Sequence, residues 1–358
     1  MWESSAAFDS LIDRIQACAK CSMMDGCTRV LSGANGPANA RVMFVGEAPG
    51  RLGADRTAVP FHGDKSGDNF EALLSLAGLS RRQVFVTNAV LCNPRSEDGN
   101  NVAPPRSVLK NCAQNLQRQI EVINPTIVAT LGSSALESAK LIEHHDLVLS
   151  QSVRTANAWN NRILIPLYHP GARAMIHRNF TAQTADYYFV GEHVRRLTSK
   201  AKTPATHAKA HSQAWDIVKY VLAYFGELSL FRLHKSMYLI DYASILQRRQ
   251  PLTDFFYIRQ KDGPYCVELG SRWYKSYADK VAFKTLNGRP WLSWYSSGLF
   301  HNEPPIDESD RRFVDSVLTA IRPLSDAQLK TRSYLTGPMK ESLKAERAGA
   351  MQLNRPLL

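Results

Sequence analysis

Four short apolar runs punctuate the first half of the chain: RVMFVG (41–46), QVFVTNAVL (83–91), TIVATLG (126–132) and RILIPLY (162–168). Between them lie stretches with apolar residues at helical spacing, among them NFEALLSLAGL (69–79) and SVLKNCAQNLQRQIEVI (107–123). Continuous apolar strands alternating with amphipathic helices predict a mostly parallel central sheet, covered on both faces in a three-layer αβα, α/β domain. Ligands of such sheets bind beyond the carboxyl ends of the strands. Each run here ends in residues unsuited to a core. The first ends in Gly46-Glu47-Ala48-Pro49-Gly50; the second contains Thr87-Asn88 and runs into Cys92-Asn93-Pro94. The third ends in Gly132-Ser133-Ser134 and the fourth in Tyr168-His169-Pro170. Polar groups from four segments are therefore expected around one cleft. Glu47 narrows what that cleft holds, because a glycine-rich phosphate cradle uses bare amides or a lysine, not a carboxylate.

At 358 residues the chain has room for two cores. No apolar run approaches the ~20 residues of a membrane span. The first ten residues, MWESSAAFDS, lack a basic region followed by an apolar one, so no secretion signal is expected and the cytoplasm is the expected compartment. Six cysteines are too sparse for a disulfide scaffold. The formal charge of +12 is unevenly spread. Residues 1–193 carry 18 Lys/Arg against 17 Asp/Glu, residues 194–211 five against none, and residues 212–358 carry 21 against 15. Such an excess suits a polyanionic partner, nucleic acid being the commonest, or a basic surface kept for solubility.

Residues 195–213, RRLTSKAKTPATHAKAHSQ, read as a basic linker without apolar periodicity. It separates an α/β domain at 1–194 from residues 214–358, where helical spacing from Ala214 onward predicts a mainly α domain. Cys18 and Cys21 form a C-x2-C pair; Cys92 ends the second run and Cys112 follows after nineteen residues. Four such thiols suit zinc or an iron–sulfur cluster, while the alternative makes Cys92 and Cys112 ordinary buried cysteines. Cys27 and Cys266 have no evident partners and read as structural.

The stretch CAKCSMMDGCTRVLSGANGPANARVMFVGEAPG, followed by PFHG, VFVTNAVLCNPR, NCAQNL and YHPGARAMIHRN, resembles the family 4 uracil-DNA glycosylases over roughly residues 10–195. The resemblance implies a [4Fe–4S] cluster on Cys18, Cys21, Cys92 and Cys112, with zinc at the same four thiols as the runner-up. It implies DNA as partner and hydrolysis of the N-glycosidic bond of a flipped base, leaving an abasic site. Such a reaction needs a stacking surface, a reader of the base edge, and groups that stabilise a departing base anion and a cationic sugar. Phe61 in PFHG matches the stacking aromatic, Asn88 the base-reading amide and His169 the histidine facing the base O2. Glu47 then faces the sugar or its attacking water, with Gly46 and Ala48 lining the base. Arg173 and Arg178 stand where phosphates are held, and Met175 or Ile176 where a wedge enters the vacated stack.

The chain departs from that pattern around the expected pocket. The stretch after Gly50 and the stretch GDKSG (63–67) each run one residue long, Ala54 replaces an acid, and His62 an apolar residue. These changes are neutral loop drift, or they admit a modified base such as a hydroxymethylated or glucosylated cytosine in phage DNA. The segment FRLHKSMYLIDYASILQRRQPLTDFFYIRQKDGPY (231–265) is similar to the Panacea domain of antitoxin-like proteins, implying a protein partner and an antiviral setting. His234, Lys235 and Asp241 read there as a solvated or partner-binding helix face. A non-catalytic DNA-binding adaptor is the alternative of another class.

Overall fold

The computed structural model describes all residues except 1–5, 22–23, 25, 199–206, 271–280 and 295–305. It divides into two units, Met1–Lys202 and Thr203–Leu358. The first runs α1 (Ala6–Gln16), β1 (Val42–Gly46), α2 (Ala54–Thr57), α3 (Lys65–Leu76), β2 (Val84–Asn88), α4 (Arg106–Ile123) and β3 (Ile127–Leu131). It continues through α5 (Ser133–Ile142), α6 (Leu149–Ser152), β4 (Asn157–Trp159), β5 (Arg162–Leu167), α7 (Ala172–Met175) and α8 (Phe180–Thr198).

The four apolar runs supply β1, β2, β3 and β5, in the order β2-β1-β3-β5-β4. All are parallel except the edge strand β4. Successive side chains of a strand point to opposite faces, and β1 shows what this does. Val42 and Phe44 enter one buried cluster with Phe70, Ile165 and Tyr187, while Met43 and Val45 enter another with Phe85, Leu116 and Leu136. Both faces are thus covered, as a continuous apolar strand requires. The strand β4 was not read from the sequence. It is three residues long and returns into β5 through Asn160 and Asn161, both at positive φ (47° and 54°), the backbone a tight two-residue hairpin turn needs.

From β1 the chain crosses to β2 on one side and then to β3 on the other. The gap between the carboxyl ends of β1 and β3 is the switch point at which open α/β sheets place their ligands. In register, Gly46 of β1 pairs with Asn88 of β2. Two of the residues expected at the cleft therefore stand side by side.

The second unit comprises α9 (His207–Phe225), β6 (Glu227–Ser229), α10 (Leu230–Arg248), β7 (Tyr257–Gln260), β8 (Gly263–Cys266), β9 (Val281–Leu286), β10 (Arg289–Trp294), α11 (Glu308–Ile321), α12 (Asp326–Tyr334) and α13 (Gly337–Arg347). Its helices carry most of the buried cluster, joined by two small antiparallel sheets, β6-β10-β9 and β7-β8. The stretch expected to be linker is partly helical, since α8 runs to Thr198 and α9 begins at His207; the rest of it lies outside the described residues. Its alanines and lysines favour a helix even without an apolar stripe.

The expected solvated face on α10 is corrected by the structure. His234, Lys235 and Asp241 are all buried. Lys235 Nζ donates to the Pro264 carbonyl at 2.6 Å, and burial pushes its pKa down to about 7. His234 Nδ1 accepts from Cys266 N (3.1 Å), its ring stacks on Tyr265, and burial pushes its pKa down to about 3. Asp241 accepts from Leu252 N, Thr253 N, Thr253 Oγ and Tyr257 O–H, which resist the upward push of burial to about 6. This carboxylate fastens the 252–257 segment to α10. Replacing Asp241 by Ala strands those donors and is expected to cost about 3 kcal/mol or more, measured by denaturant unfolding.

Candidate active site

Past the ends of β1, β2 and β5 lies a cavity of about 160 Å³. Glu47, Ala48, Phe61, Asn88 and His169 all line it, with Pro49, Gly50, Ala54, Asp64, Ser66, Asn93, Pro94, Asn101 and Val102. Gly46, expected to line the base, is not among these residues but packs against two of them. A Cβ there would lie 2.4 Å from Asn88 Oδ1 and 2.6 Å from the Phe61 ring, so only glycine lets those two side chains meet over β1.

Phe61 is held with unusual backbone geometry. Its φ is 51°, costly for a bulky residue. Arg81 Nη2 donates to both the Pro60 and Phe61 carbonyls (2.8 Å each), and the start of α3 packs against the Phe61 carbonyl, where a Cβ on Gly67 would clash at 2.6 Å. The ring stacks on Phe70 at 4.8 Å and leaves its other side to the cavity and to His169, 5.3 Å away. Asn88 is 2% exposed, and its side-chain amide forms no hydrogen bond to any described residue. A turn cap would bond its neighbours; this amide instead keeps a donor and an acceptor for whatever fills the cavity.

His169 sits in the tight turn after β5. Its Nδ1 accepts from Gly171 N at 3.0 Å, so the ring proton of the neutral form resides on Nε2. Burial lowers its pKa, against the pull of the Glu47 and Asp64 carboxylates. The turn demands Gly171, where a Cβ would stand 2.8 Å from His169 Nδ1. Glu47 Oε2 accepts from Ser134 Oγ at 2.6 Å, across the switch point from the start of α5. Ser134, Asp64, Ser66 and Asn101 were not singled out from sequence. Ser134 did stand in the polar end of the third run, and Asp64 and Ser66 in the long GDKSG stretch.

Three of the four sequence departures reach this cavity and one does not. Ala54 lines it and Asp64 enters it, whereas His62 is exposed and is not among its lining residues. The acid one position on, Asp55, faces away from the cavity, paired with Arg95 and accepting from Thr28 N at 3.1 Å.

Beside the site, α7 carries the residues expected at DNA. Ile176 is 65% exposed and Arg173 is exposed, while Met175 is half-buried with its sulfur 3.9 Å from Asn69 Nδ2. Arg178 departs from its expected role. Its Nε and Nη2 both donate to the fully buried Asp186 at 2.5 Å, so the guanidinium ties α8 to the turn instead of offering itself to a phosphate.

Cys18, Cys21, Cys92 and Cys112 line a second, separate cavity with Lys20, Arg29 and Asn111. Among the described residues no group of three or more His, Cys, Asp or Glu side chains is placed to hold a single metal ion. The four thiols surround a space, not a point. Burial, aided by the neighbouring thiols, raises the Cys92 pKa to about 12 and the Cys112 pKa to about 11. Only a cationic group bound among them would hold all four as thiolates. Asn111 Nδ2 donates to Cys21 Sγ at 3.3 Å, as ligand sulfurs require. Such a donor set fits a multi-iron cluster better than tetrahedral zinc, which needs all four sulfurs within ~2.3 Å of one centre. Cys27 is structural, its Sγ on the Asn93 carbonyl.

The sequence model of the Uracil DNA glycosylase superfamily matches residues 34–189, the segment that contains every lining residue of the cavity. Over 172 residues the chain is 31% identical to a type-4 uracil-DNA glycosylase of Sulfurisphaera tokodaii, covering 46% of this chain and 75% of that one. The chain belongs to the type-4 uracil-DNA glycosylases. A type-4 relative from Saccharolobus solfataricus is 33% identical over 171 residues, 46% of this chain and 76% of its own. A type-5 relative from Pyrobaculum aerophilum is 26% identical over 222 residues, 54% of this chain and 93% of its own. Family membership makes the chain a DNA glycosylase, a hydrolase acting on DNA. No helix among the described residues is long and apolar enough to cross a membrane.

Proposed function

We propose that this glycosylase removes uracil from DNA, with the cavity over β1 as its base pocket. The observation that carries the reading is the convergence of Glu47, Phe61, Asn88 and His169, from separate segments of the chain, on one space of about 160 Å³. In it a flipped pyrimidine stacks on Phe61, and the unbonded Asn88 amide pairs with its O4 and N3–H. His169 donates its Nε2 proton as a hydrogen bond to O2, where charge accumulates as the C1′–N1 bond breaks and its electrons pass to the base. Ser134 occupies one oxygen of Glu47 and leaves the other to stabilise the cationic sugar and orient the water that attacks C1′. Ile176 is the most exposed apolar group beside the pocket and the wedge of choice; Arg173 suits a phosphate.

An oligonucleotide with one uracil, treated with the protein and then hot alkali, is expected to break at that position. An intact strand would overturn the reading. The small Ala54 wall favours a second reading, in which the base is a modified pyrimidine of phage DNA, and the same assay with modified bases separates the two. If the chain were instead a silent adaptor, Asn88→Ala would leave its biological effect intact.

Cys18, Cys21, Cys92 and Cys112 would hold a [4Fe–4S] cluster, which ties the segment after α1 to the β2 end and to α4. The purified protein is expected to be brown, absorbing near ~400 nm, and Cys18→Ser to bleach it. Colourless, zinc-containing protein would favour the other metal. The second unit, on its resemblance, serves to engage a protein partner.

A further inference from the structure

Three edges of a bound pyrimidine are taken in the proposed pocket: N1 by the sugar, O2 by His169, and N3 with O4 by Asn88. The C5 edge is then left to the rest of the lining, which includes Gly50, Ala54, Asp64 and Asn101. This wall is unusual for a ring carbon that bears only hydrogen.

Asp64 dominates it. Its Oδ1 accepts from Gly67 N at 2.9 Å and caps α3, which fixes the side chain. Its Oδ2 leans over two glycines: a Cβ on Gly53 would lie 2.4 Å from it and one on Gly50 3.0 Å. Side chains at either position would crowd this oxygen, and of the two glycines Gly50 lines the cavity beside Asp64. Asn101 closes the same side. Its Oδ1 accepts from Arg51 N at 3.0 Å, which turns its Nδ2 toward Gly50, 3.8 Å from where a Cβ would stand. Ala54 adds space and no polar group. An acceptor and a donor thus stand 3.0 and 3.8 Å from the same point over Gly50, where the base has nothing to offer them unless C5 carries a hydroxylated group.

We propose that Asp64 and Asn101 form a recognition subsite for a hydroxyl on the C5 substituent of the excised pyrimidine, Asp64 Oδ2 accepting from that hydroxyl and Asn101 Nδ2 donating to it. The substrate class is a 5-hydroxymethyl-type pyrimidine. This rests on the base-pocket reading above. The subsite also sets a rule against thymine, whose methyl fills the same space and gives Asp64 Oδ2 no hydrogen-bond donor.

The test compares single-turnover release from four oligonucleotides that differ at one base: uracil, thymine, 5-hydroxymethyluracil and 5-hydroxymethylcytosine. At least one 5-hydroxymethyl base is expected to be released faster than thymine by about a hundredfold or more. In Asp64→Asn and Asp64→Ser, which keep a capping side chain on α3, the ratio of 5-hydroxymethyl to uracil release is expected to fall about tenfold or more. Because the readout is a ratio, a general loss from a disturbed helix start cancels. An unchanged ratio, or release of uracil with neither 5-hydroxymethyl base, would overturn the subsite and leave the base pocket standing. Release of no base from any strand would overturn both.

Discussion

Glu47→Gln is expected to slow base release by about 10²- to 10⁴-fold, the range over which a positioned carboxylate assists bond cleavage and water attack. Glutamine keeps the shape of the side chain and can still meet Ser134 Oγ, which accompanies Glu47 Oε2 at 2.6 Å. The substitution therefore removes charge while preserving the turn after β1. Single-turnover cleavage, with DNA binding followed in parallel at fixed salt, is the measurement. Retained binding with lost cleavage assigns the carboxylate to the reacting sugar. Undiminished cleavage would remove it from the chemistry.

His169→Ala is expected to cost about 10²- to 10³-fold, the usual effect of deleting one donor to a developing oxyanion. The pH profile gives the sharper test. The useful form is the neutral ring, whose Nδ1 already accepts from Gly171 N and whose Nε2 holds the proton. Burial lowers the pKa, so this form persists below the ~6.5 of an ordinary histidine. The histidine-dependent rate should thus stay level as pH falls through ~6.5 and decline only at lower pH. Protonation would set a second donor against the Gly171 N–H. The linked effect on stability has the same sign. Below ~6.5 the unfolded chain binds a proton the folded site refuses, so stability falls with pH from that point downward. A rate that instead rose as pH fell through ~6.5 would mean that a charged imidazole does the work.

Much of this site could be read before folding, because strand ends announce themselves. An apolar run that stops at Glu47 or His169, or carries Asn88 near its end, places that residue at the rim of the sheet, and one sheet has one carboxyl edge. Phe61 was legible only through the motif around it, since a lone phenylalanine reads as core. Asp64 and Asn101 were not legible, because what matters is where α3 begins and how Gly50 and Gly53 yield to it. The same limit explains Arg178: nothing in its local sequence reveals that buried Asp186 claims it. On α10 the error ran the other way. Polar residues at helical spacing usually mark a wet face, but this helix is packed on several sides, and His234, Lys235 and Asp241 serve as internal fastenings.

Glu47, Asn88 and His169 stand at or just beyond strand termini whose mutual register is fixed by backbone pairing, whereas Ala54, Asp64 and Asn101 ride on connecting segments free to gain or lose residues. On the proposed roles, the groups that hold and cleave the base and those that face C5 thereby sit on different parts of the chain. A lineage can lengthen a loop and change its diet without re-inventing its teeth.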